Sequence, residues 1–309
     1  SGIVSMAIQR NMHIFTSAEH FVVPEGRFTP SKFTTSEMNK NGCFRAIRPT
    51  VYENGVLTIE RKGRNLYYYG YDDAPRNASL YFQYEGVPVD MALEKNSVKD
   101  KGDFLYVLVD SGVMYVQALG LSENINATCI FETDGKILSV ATVADDTYIA
   151  VVRNGDIMIE KIADVRTDST RYTQCVNGTI TDLTDFIGER VYVEQNGRAV
   201  AKNVDNTGQI KIGFADGAVK VGLPFRYEVK SNPIAINGRT TSIRKRINRA
   251  TVECVDTPKI QLNEQILEGE DTYDFFAVGE YERDCRYVIA GEYTPVRILS
   301  VQLDVSYEG

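Results

Sequence analysis

One hairpin plan recurs four times in the first half of the chain. Each copy has an apolar alternating strand, a turn of polar or glycine residues and a second alternating strand, and the starts are 44, 48 and 43 residues apart. A period in the forties that contains hairpins is typical of propeller blades, which bury their faces only against neighbouring blades. The copies are MHIFTSAEHFVV from Met12, VLTIERKGRNLYYYGY from Val56, FLYVLVDSGVMYVQAL from Phe104 and TYIAVVRNGDIMIEKI from Thr147.

Residues 1–163 are therefore predicted to form propeller-like blades. Turns at Asp110-Ser111-Gly112 and Asn154-Gly155 supply the glycine that tight hairpins need for positive φ. Four copies are too few to close most propellers, so we expect an incomplete set of blades in a chain that belongs to a longer parent. One short segment, residues 89–96 (VDMALEKN), is predicted to form a turn or two of helix.

The sequence pattern changes near residue 164. Residues 164–231 are predicted to form a small inserted β-barrel or sandwich domain, with hairpin turns at Asn196-Gly197 and Asp216-Gly217. Its strands are predicted at about 190–195, 209–214 and 218–221.

The last part of the chain, residues 232–309, is predicted to be a C-terminal β segment that packs back on the propeller. Its final residues, 296–305, alternate between apolar and polar, which indicates a strand at the C-terminus. The predicted fold class is thus all-β in three parts.

Acidic charge and dispersed cysteines narrow the class of protein. The net charge is −8, and because nucleic acid is held by clustered Lys and Arg, this charge argues against tight binding to DNA while allowing a surface that DNA passes without sticking. Five cysteines include no pair at the spacing of a redox or zinc motif, which indicates reduced thiols in a protein made in the cytosol. No apolar run approaches the roughly 18 residues of a membrane helix.

One cluster of cations could have a function. Residues 237–249 contain five cations and no acid. We interpret this run first as a solvated or subunit-interface strand edge, with contact to DNA phosphate or to a partner protein as alternatives. The candidates for an interface or a DNA path are Arg239, Arg244, Lys245, Arg246 and Arg249.

Residues for catalysis or metal binding are sparse. The chain has only two histidines, His13 and His20, which we interpret as hairpin surface or packing residues because no nearby Cys or third His would complete a zinc site. No nucleophile elbow, P-loop or dinucleotide motif occurs. We expect no catalysis, no metal and no cofactor. Three acidic pairs beside predicted turns are interpreted as solvated turn residues, with glycosidase carboxylates or calcium ligands as the alternative: Asp72 with Asp73, Asp145 with Asp146, and Glu132 with Asp134.

Several segments resemble a protein family of short-tailed phages, the tail nozzle (tail tubular protein B) and related packaged-DNA stabilisation proteins. In the first half, MHIFTSAEHFVVPEGRFTP from Met12 is similar to a family segment in which a strand ending in Phe-Thr leads to a second strand and then to Thr-Pro. The resemblance covers nearly the whole chain, as the C-terminal part of the family. Further similar residues are Leu183 and Gly188, a tight Asn-Gly or Asp-Gly turn, the Val-Gly-Leu-Pro run at 221–224, and Pro295 and Gly309 in the closing segment.

The resemblance implies a structural role. It implies a propeller-like body, a small inserted β domain, a sixfold ring of this chain, tail adaptor and fibre proteins as neighbours, and synthesis in the cytoplasm of a bacterial host before assembly into the virion tail. We therefore expect a tail component that forms part of the DNA-exit channel and lets double-stranded DNA pass without tight binding. The alternatives are a propeller-type glycan-binding or glycoside-cleaving protein and a plain propeller scaffold for protein partners.

Overall fold

Almost every element of the chain is a β-strand, and the chain divides into two compact units, residues 1–163 and 164–309. No α-helix occurs among the described residues, which confirms the predicted all-β fold class. The computed structural model describes residues 2–25, 28–29, 32–71, 74–80, 82–96, 102–120, 125–163, 167–236, 238, 240, 242–269, 271–292 and 296–308.

Four small antiparallel sheets follow one another along the first unit, as propeller-like blades do. Sheet 1 contains β1 (Ile3–Ile8), β2 (Met12–Thr16), β3 (His20–Val23) and β6 (Ser36–Asn39), and the ribbon of β4 (Phe28–Thr29) and β5 (Lys32–Phe33) lies between its last two strands in sequence. Sheet 2 contains β7 (Thr50–Tyr52), β8 (Gly55–Ile59), β9 (Leu66–Gly70) and β10 (Arg76–Asn77). Sheet 3 contains β11 (Pro88–Glu94), β12 (Asp103–Val109), β13 (Met114–Gly120) and β14 (Ile125–Phe131), and sheet 4 contains β15 (Lys136–Val143), β16 (Asp146–Arg153) and β17 (Asp156–Ile162).

Both predicted hairpin turns of this unit are confirmed. β12 and β13 pair across a turn in which Gly112 has φ of 93°. β16 and β17 pair across Asn154 and Gly155, whose φ values of 50° and 90° are those of a tight hairpin turn. Local turn chemistry therefore sets the register of these strands.

Apolar side chains fill the space between consecutive sheets. Successive residues of a strand point to opposite faces, so on β8 Val56 packs towards sheet 1 while Leu57 packs towards sheet 3. On β12, Leu105 packs towards sheet 2 and Leu108 towards sheet 4. Sheets 2 and 3 are thus buried on both faces, whereas sheets 1 and 4 each have a neighbouring sheet in this unit on one face.

The predicted helix at residues 89–96 is wrong, because most of that segment belongs to strand β11. Its backbone pairs with β12, with Asp90 opposite Leu108 and Ala92 opposite Tyr106. Pairing with a preformed neighbour outweighs the modest helix propensity of such a short segment. The strand also carries two acids that bind the next sheet: Asp90 Oδ2 accepts hydrogen bonds from Ser139 and from the Val140 amide, and Glu94 accepts one from Thr147.

We expect Asp90→Ala to lower the free energy of unfolding by about 1–3 kcal/mol, because the Ser139 hydroxyl and the Val140 amide would lose their acceptor between sheets 3 and 4. The measurement is urea unfolding followed by circular dichroism. Glu132→Ala, at an exposed position, is the matched control and should change stability by less than about 0.5 kcal/mol. Equal losses for the two variants would contradict the bridging role.

The second unit begins with a four-stranded sheet, sheet 5, around its own hydrophobic core. The strand predicted at 190–195 is present as β20, and the hairpin turn at Asn196-Gly197 is confirmed. A short 3-10 helix, Thr184–Phe186, adds Phe186 to the core. The sheet contains β18 (Thr167–Cys175), β20 (Arg190–Gln195), β21 (Arg198–Asn203) and β23 (Gly217–Pro224), and a separate ribbon pairs β19 (Thr179–Ile180) with β22 (Ile210–Lys211).

The predicted hairpin at Asp216-Gly217 is wrong. β22 pairs with β19, whereas β23 pairs with β18 and β20, so the strands on either side of this turn are not partners. The Asp216 carboxylate accepts a hydrogen bond from the Asn177 amide at 2.6 Å, which anchors the segment to a different loop. The strand predicted at 209–214 is accordingly reduced to two residues, while that at 218–221 lies inside β23.

The rest of the second unit has two further sheets around a common apolar cluster. The predicted C-terminal strand is present as β30 (Ile298–Tyr307). Strand β24 (Arg226–Lys230), which falls in the sequence range assigned to the small domain, pairs with β29 (Val288–Glu292) near the C-terminus. Sheet 6 contains β24 (Arg226–Lys230), β26 (Lys259–Leu262), β27 (Gln265–Glu268) and β29 (Val288–Glu292), and sheet 7 contains β25 (Lys245–Cys254), β28 (Thr272–Phe276) and β30 (Ile298–Tyr307).

Candidate functional site

The cations of the basic run differ widely in their surroundings. Arg239 lies outside the described residues. Lys245 is 0% exposed at the start of β25, and its ammonium group donates to the backbone carbonyls of Thr240 and Arg283. A side chain buried in this way cannot contact a partner or DNA, so Lys245 is removed from the predicted surface and belongs to the interior.

The other described cations are partly neutralised by acids from distant strands. Arg244 lies 3.4 Å from Glu308, and Arg249 binds Asp274 at 2.9 Å and stacks over the Phe276 ring. Pairing of β25 with β28 and β30 brings these acids to the run. The Thr251 hydroxyl, and then the Arg249 guanidinium, lower the pKa of the Asp274 carboxyl.

Arg246 differs from its neighbours. It is half-buried, and its Nε is buried without a hydrogen-bond partner among the described atoms. The run is thus a sheet surface with local ion pairs, in which Arg244, Arg246 and Arg249 keep some exposure.

The outer face of sheet 1, the face turned away from sheet 2, is apolar, and it is exposed along edge strand β1. Ala7 and Phe15 pack towards sheet 2, so the alternating residues point outwards. On edge strand β1 these include Met6 and Ile8, which are 59% and 66% exposed. The apolar residues of this face are Ile3, Met6, Ile8, Met12, Ile14, Phe21 and Val23, of which Ile14 and Val23 are buried.

The outer face of sheet 4, turned away from sheet 3, has the same character. Ile137, Val140 and Ile149 pack towards sheet 3. On edge strand β17, Ile157 and Ile159 point the other way and are 67% and 71% exposed. The residues of this face are Val143, Tyr148, Ala150, Val152, Ile157 and Ile159.

Along their edge strands, β1 and β17, these two outer faces have the apolar composition of a buried interface and yet are exposed. Contiguous exposed apolar patches on soluble proteins usually mark sites of protein association. Because the faces lie on the first and last sheets of the unit, each presents to a partner the kind of surface that the inner sheets bury against each other. They are the candidate functional surfaces of the first unit.

Two of the three predicted acidic pairs lie among the described residues, and both are at turns on the surface. Asp72 and Asp73 lie outside the described residues. Asp146 binds Lys161 at 2.7 Å, next to exposed Asp145. Glu132 and Asp134 are exposed, and Asp134 lies 3.8 Å from Arg153. Within the described part of the chain, no group of three or more His, Cys, Asp or Glu side chains is placed to hold a metal ion.

The two histidines form a buried pair inside sheet 1. His13 Nδ1 and His20 Nε2 are 3.0 Å apart, and their rings are stacked with an interplanar angle of 4°. Phe15 and Tyr69 pack on the His20 ring at centroid distances of 4.4 and 4.3 Å. Burial lowers the pKa of His13 to about 4, and burial together with the neighbouring His13 lowers the pKa of His20 to about 3. The packing interpretation therefore holds for both residues.

Solved structures that are similar to this chain include two distant neighbours. No family model matches the chain, and no curated protein matches it. The WD40 domain of SCAP from fission yeast is 10% identical, with a TM-score of 0.33, covering 94% of this chain and 84% of that one. An exo-β-1,3-galactanase of Phanerochaete chrysosporium, solved with β-1,3-galactotriose, is 8% identical, with a TM-score of 0.25, covering 97% and 95%. At these TM-scores neither neighbour's activity transfers to this chain.

Among the described residues, no helix is long and apolar enough to cross a membrane.

Proposed function

We propose that this protein is a structural subunit of a phage tail that assembles head to tail into a ring around the DNA-exit path. The observation that carries the proposal is the pair of apolar outer faces on sheets 1 and 4 of the first unit. If the outer face of sheet 4 of one copy packs on the outer face of sheet 1 of the next, each copy uses two different surfaces. Such heterologous contacts form a closed ring when the rotation between copies divides a full turn.

The charge of the chain fits a passive channel. Acids outnumber Lys and Arg by 42 to 34, and the described cations of the basic run are partly neutralised by Asp274 and Glu308. A duplex would therefore meet a surface that repels phosphate more than it attracts it, which favours sliding over capture. Six copies, and the tail adaptor and fibre proteins as neighbours, come from the family resemblance.

Light scattering over a range of concentrations tests the ring. We expect the mass to rise from that of the 34.6 kDa chain towards six times that value as concentration increases. Met6→Asp on sheet 1 and Ile159→Asp on sheet 4 should each abolish growth, because an unpaired carboxylate would be buried at the contact. Leu80→Asp, an exposed apolar residue away from both faces, is the matched control and should assemble normally.

A mixing experiment tests the head-to-tail geometry. The Met6→Asp variant keeps an intact outer face on sheet 4, and the Ile159→Asp variant keeps one on sheet 1. Equal amounts of the two should therefore form dimers and nothing larger. Dimers of either variant alone would contradict the heterologous contact, and a wild-type chain that stays monomeric at every concentration would contradict assembly through these faces. Duplex DNA bound much more tightly than about 1 µM at physiological salt would contradict the passive channel.

A further inference from the structure

A groove of about 480 Å³ lies beside edge strand β14 of sheet 3. Residues of the connection between β10 and β11 form one side, and β14 forms the other. On β14, Asn126 and Thr128 lie on the face that packs towards sheet 2, because they pair with Leu119 and Gln117 of β13. The lining residues used below are Phe82, Glu85, Tyr115, Asn126 and Thr128.

Aromatic rings form the apolar part of this groove. Phe82 and Tyr115 are nearly parallel, with an interplanar angle of 16° and centroids 6.4 Å apart, and Tyr84 packs edge-on against both. Phe82 is half-buried: it contacts the core between sheets 2 and 3 and still lines the groove. The ring is therefore held in place while part of it remains available to a ligand.

One buried polar atom without a partner belongs to the lining of this groove, Thr128 Oγ1, and two more belong to buried residues that contact the lining. Tyr84 Oη, Gln117 Oε1 and Thr128 Oγ1 are buried with no hydrogen-bond partner among the described atoms. Buried polar atoms are nearly always paired in folded proteins, so three such atoms together need an explanation. A hydroxyl group of a ligand in the groove is both a donor and an acceptor, so it is suited to the Thr128 hydroxyl of the lining.

The remaining polar groups are fixed in position. The Gln117 amide donates to the Ala78 carbonyl at 2.7 Å and also to the Asn126 side chain, which itself donates to Ala78. The Glu85 amide donates to the Tyr115 hydroxyl at 2.9 Å, which anchors the backbone beneath the exposed Glu85 carboxylate. The groove thus presents one carboxylate, an amide and a hydroxyl around an aromatic floor.

The lining chemistry selects the class of ligand. The described residues that line the groove include no Lys, Arg or His, so among them a phosphate or a carboxylate ligand would find no counter-charge beside Glu85. A volume of this size fits a small molecule. We propose that the groove binds a neutral pyranose unit of a glycan, with the sugar ring against Phe82 and its hydroxyls on Glu85, Asn126 and Thr128. Glycoside cleavage generally uses two carboxylates, and Glu85 is the one carboxylate among the described lining residues, so we propose binding of the sugar without cleavage.

Ligand-observed NMR with galactose, glucose, mannose and N-acetylglucosamine as probes tests this proposal, and glucuronate serves as the charged counterpart. We expect at least one neutral sugar to bind with a dissociation constant in the millimolar range. Glu85→Gln and Thr128→Val keep the shape of the groove and should each weaken that binding about five- to tenfold. Glu37→Gln, an exposed acid on strand β6 of sheet 1, should leave it unchanged.

Three results would overturn the proposal. They are the absence of binding by all four neutral sugars, binding that the two groove variants do not alter, and a preference for glucuronate. Release of reducing sugar from an oligosaccharide would overturn the binding-only role. The Met6→Asp variant should bind the same sugar as the wild type. Failure of ring assembly would therefore not contradict sugar binding, and failure of sugar binding would not contradict the ring.

Discussion

The double variant His13→Phe, His20→Phe is expected to resist acid far better than the wild-type chain. Between about pH 6.5 and pH 4, we expect the wild type to lose on the order of several kcal/mol of stability that the variant keeps. Both histidines are buried in a stacked pair, and burial lowers the pKa of His13 to about 4 and that of His20, which the neighbouring His13 lowers further, to about 3.

The sign follows from where the protons bind. An unfolded histidine has a pKa near 6.5, so below that pH the unfolded chain takes up protons that the folded chain excludes. This stability is complete above about pH 6.5, and it is lost as pH falls towards the folded pKa values of about 4 and 3. Because the chain has no other histidine, the double variant removes every side chain that normally titrates near pH 6.5.

Urea unfolding at a series of pH values, followed by circular dichroism, measures the effect. Phenylalanine retains the aromatic packing on Phe15 and Tyr69, so the variant should still fold at neutral pH. Protonation of carboxylates in acid also lowers the stability of folded proteins. This loss should be the same in the wild type and in the double variant, so it cancels in the comparison. Parallel stability curves for the two chains between pH 4 and pH 6.5 would contradict the role of the pair.

We expect Lys245→Ala to lower the free energy of unfolding of the second unit by about 2–4 kcal/mol. The side chain is fully buried, and its removal would leave a cavity beside the Thr240 and Arg283 carbonyls, which would lose their donor. Arg244→Ala removes a neighbouring cation that is exposed and paired with exposed Glu308, so it should cost less than about 1 kcal/mol.

Lys245→Met separates the two parts of this effect. Methionine keeps the apolar stem of lysine and removes the ammonium group. The loss of unfolding free energy for Lys245→Met should therefore lie between the losses for Lys245→Ala and Arg244→Ala. The chain has no tryptophan, and near-ultraviolet circular dichroism of tyrosine, or hydrogen exchange, is the suitable readout. Equal losses for Lys245→Ala and Arg244→Ala would show that the buried ammonium group does not support the fold.

Local signals explain which strands could be predicted from the sequence. The hairpins of sheets 3 and 4 have period-two alternation around a glycine turn, and both features act within about sixteen residues. The sequence predicts a helix where strand β11 lies, because the pairing with β12 and the hydrogen bonds from Ser139 and Val140 that favour a strand involve residues outside this segment. The Asp216-Gly217 turn has the residues of a hairpin, but the strands beside it pair elsewhere.

The surroundings of the basic run depend on long-range pairing. Asp274 and Glu308 reach Arg249 and Arg244 only because β25 lies between β28 and β30. The burial of Lys245 had a local signal, since it alternates with Ile247 at the start of a strand. The groove beside β14 had none, because it combines residues 82–85 with residue 115 and with residues 126–130.

The order of the sheets in the first unit has a consequence for how the chain folds. Sheets 1 to 4 occupy successive stretches of sequence, roughly residues 3–39, 50–77, 88–131 and 136–162. Each can close from contacts between neighbours in sequence, with small loop entropies, and then dock on the sheet made before it. In the second unit, by contrast, β18 pairs with β23 and β25 with β30 across long separations. A nascent chain can therefore build the first unit one sheet at a time as it is synthesised, and amide protons of the two end sheets should exchange before those of sheets 2 and 3.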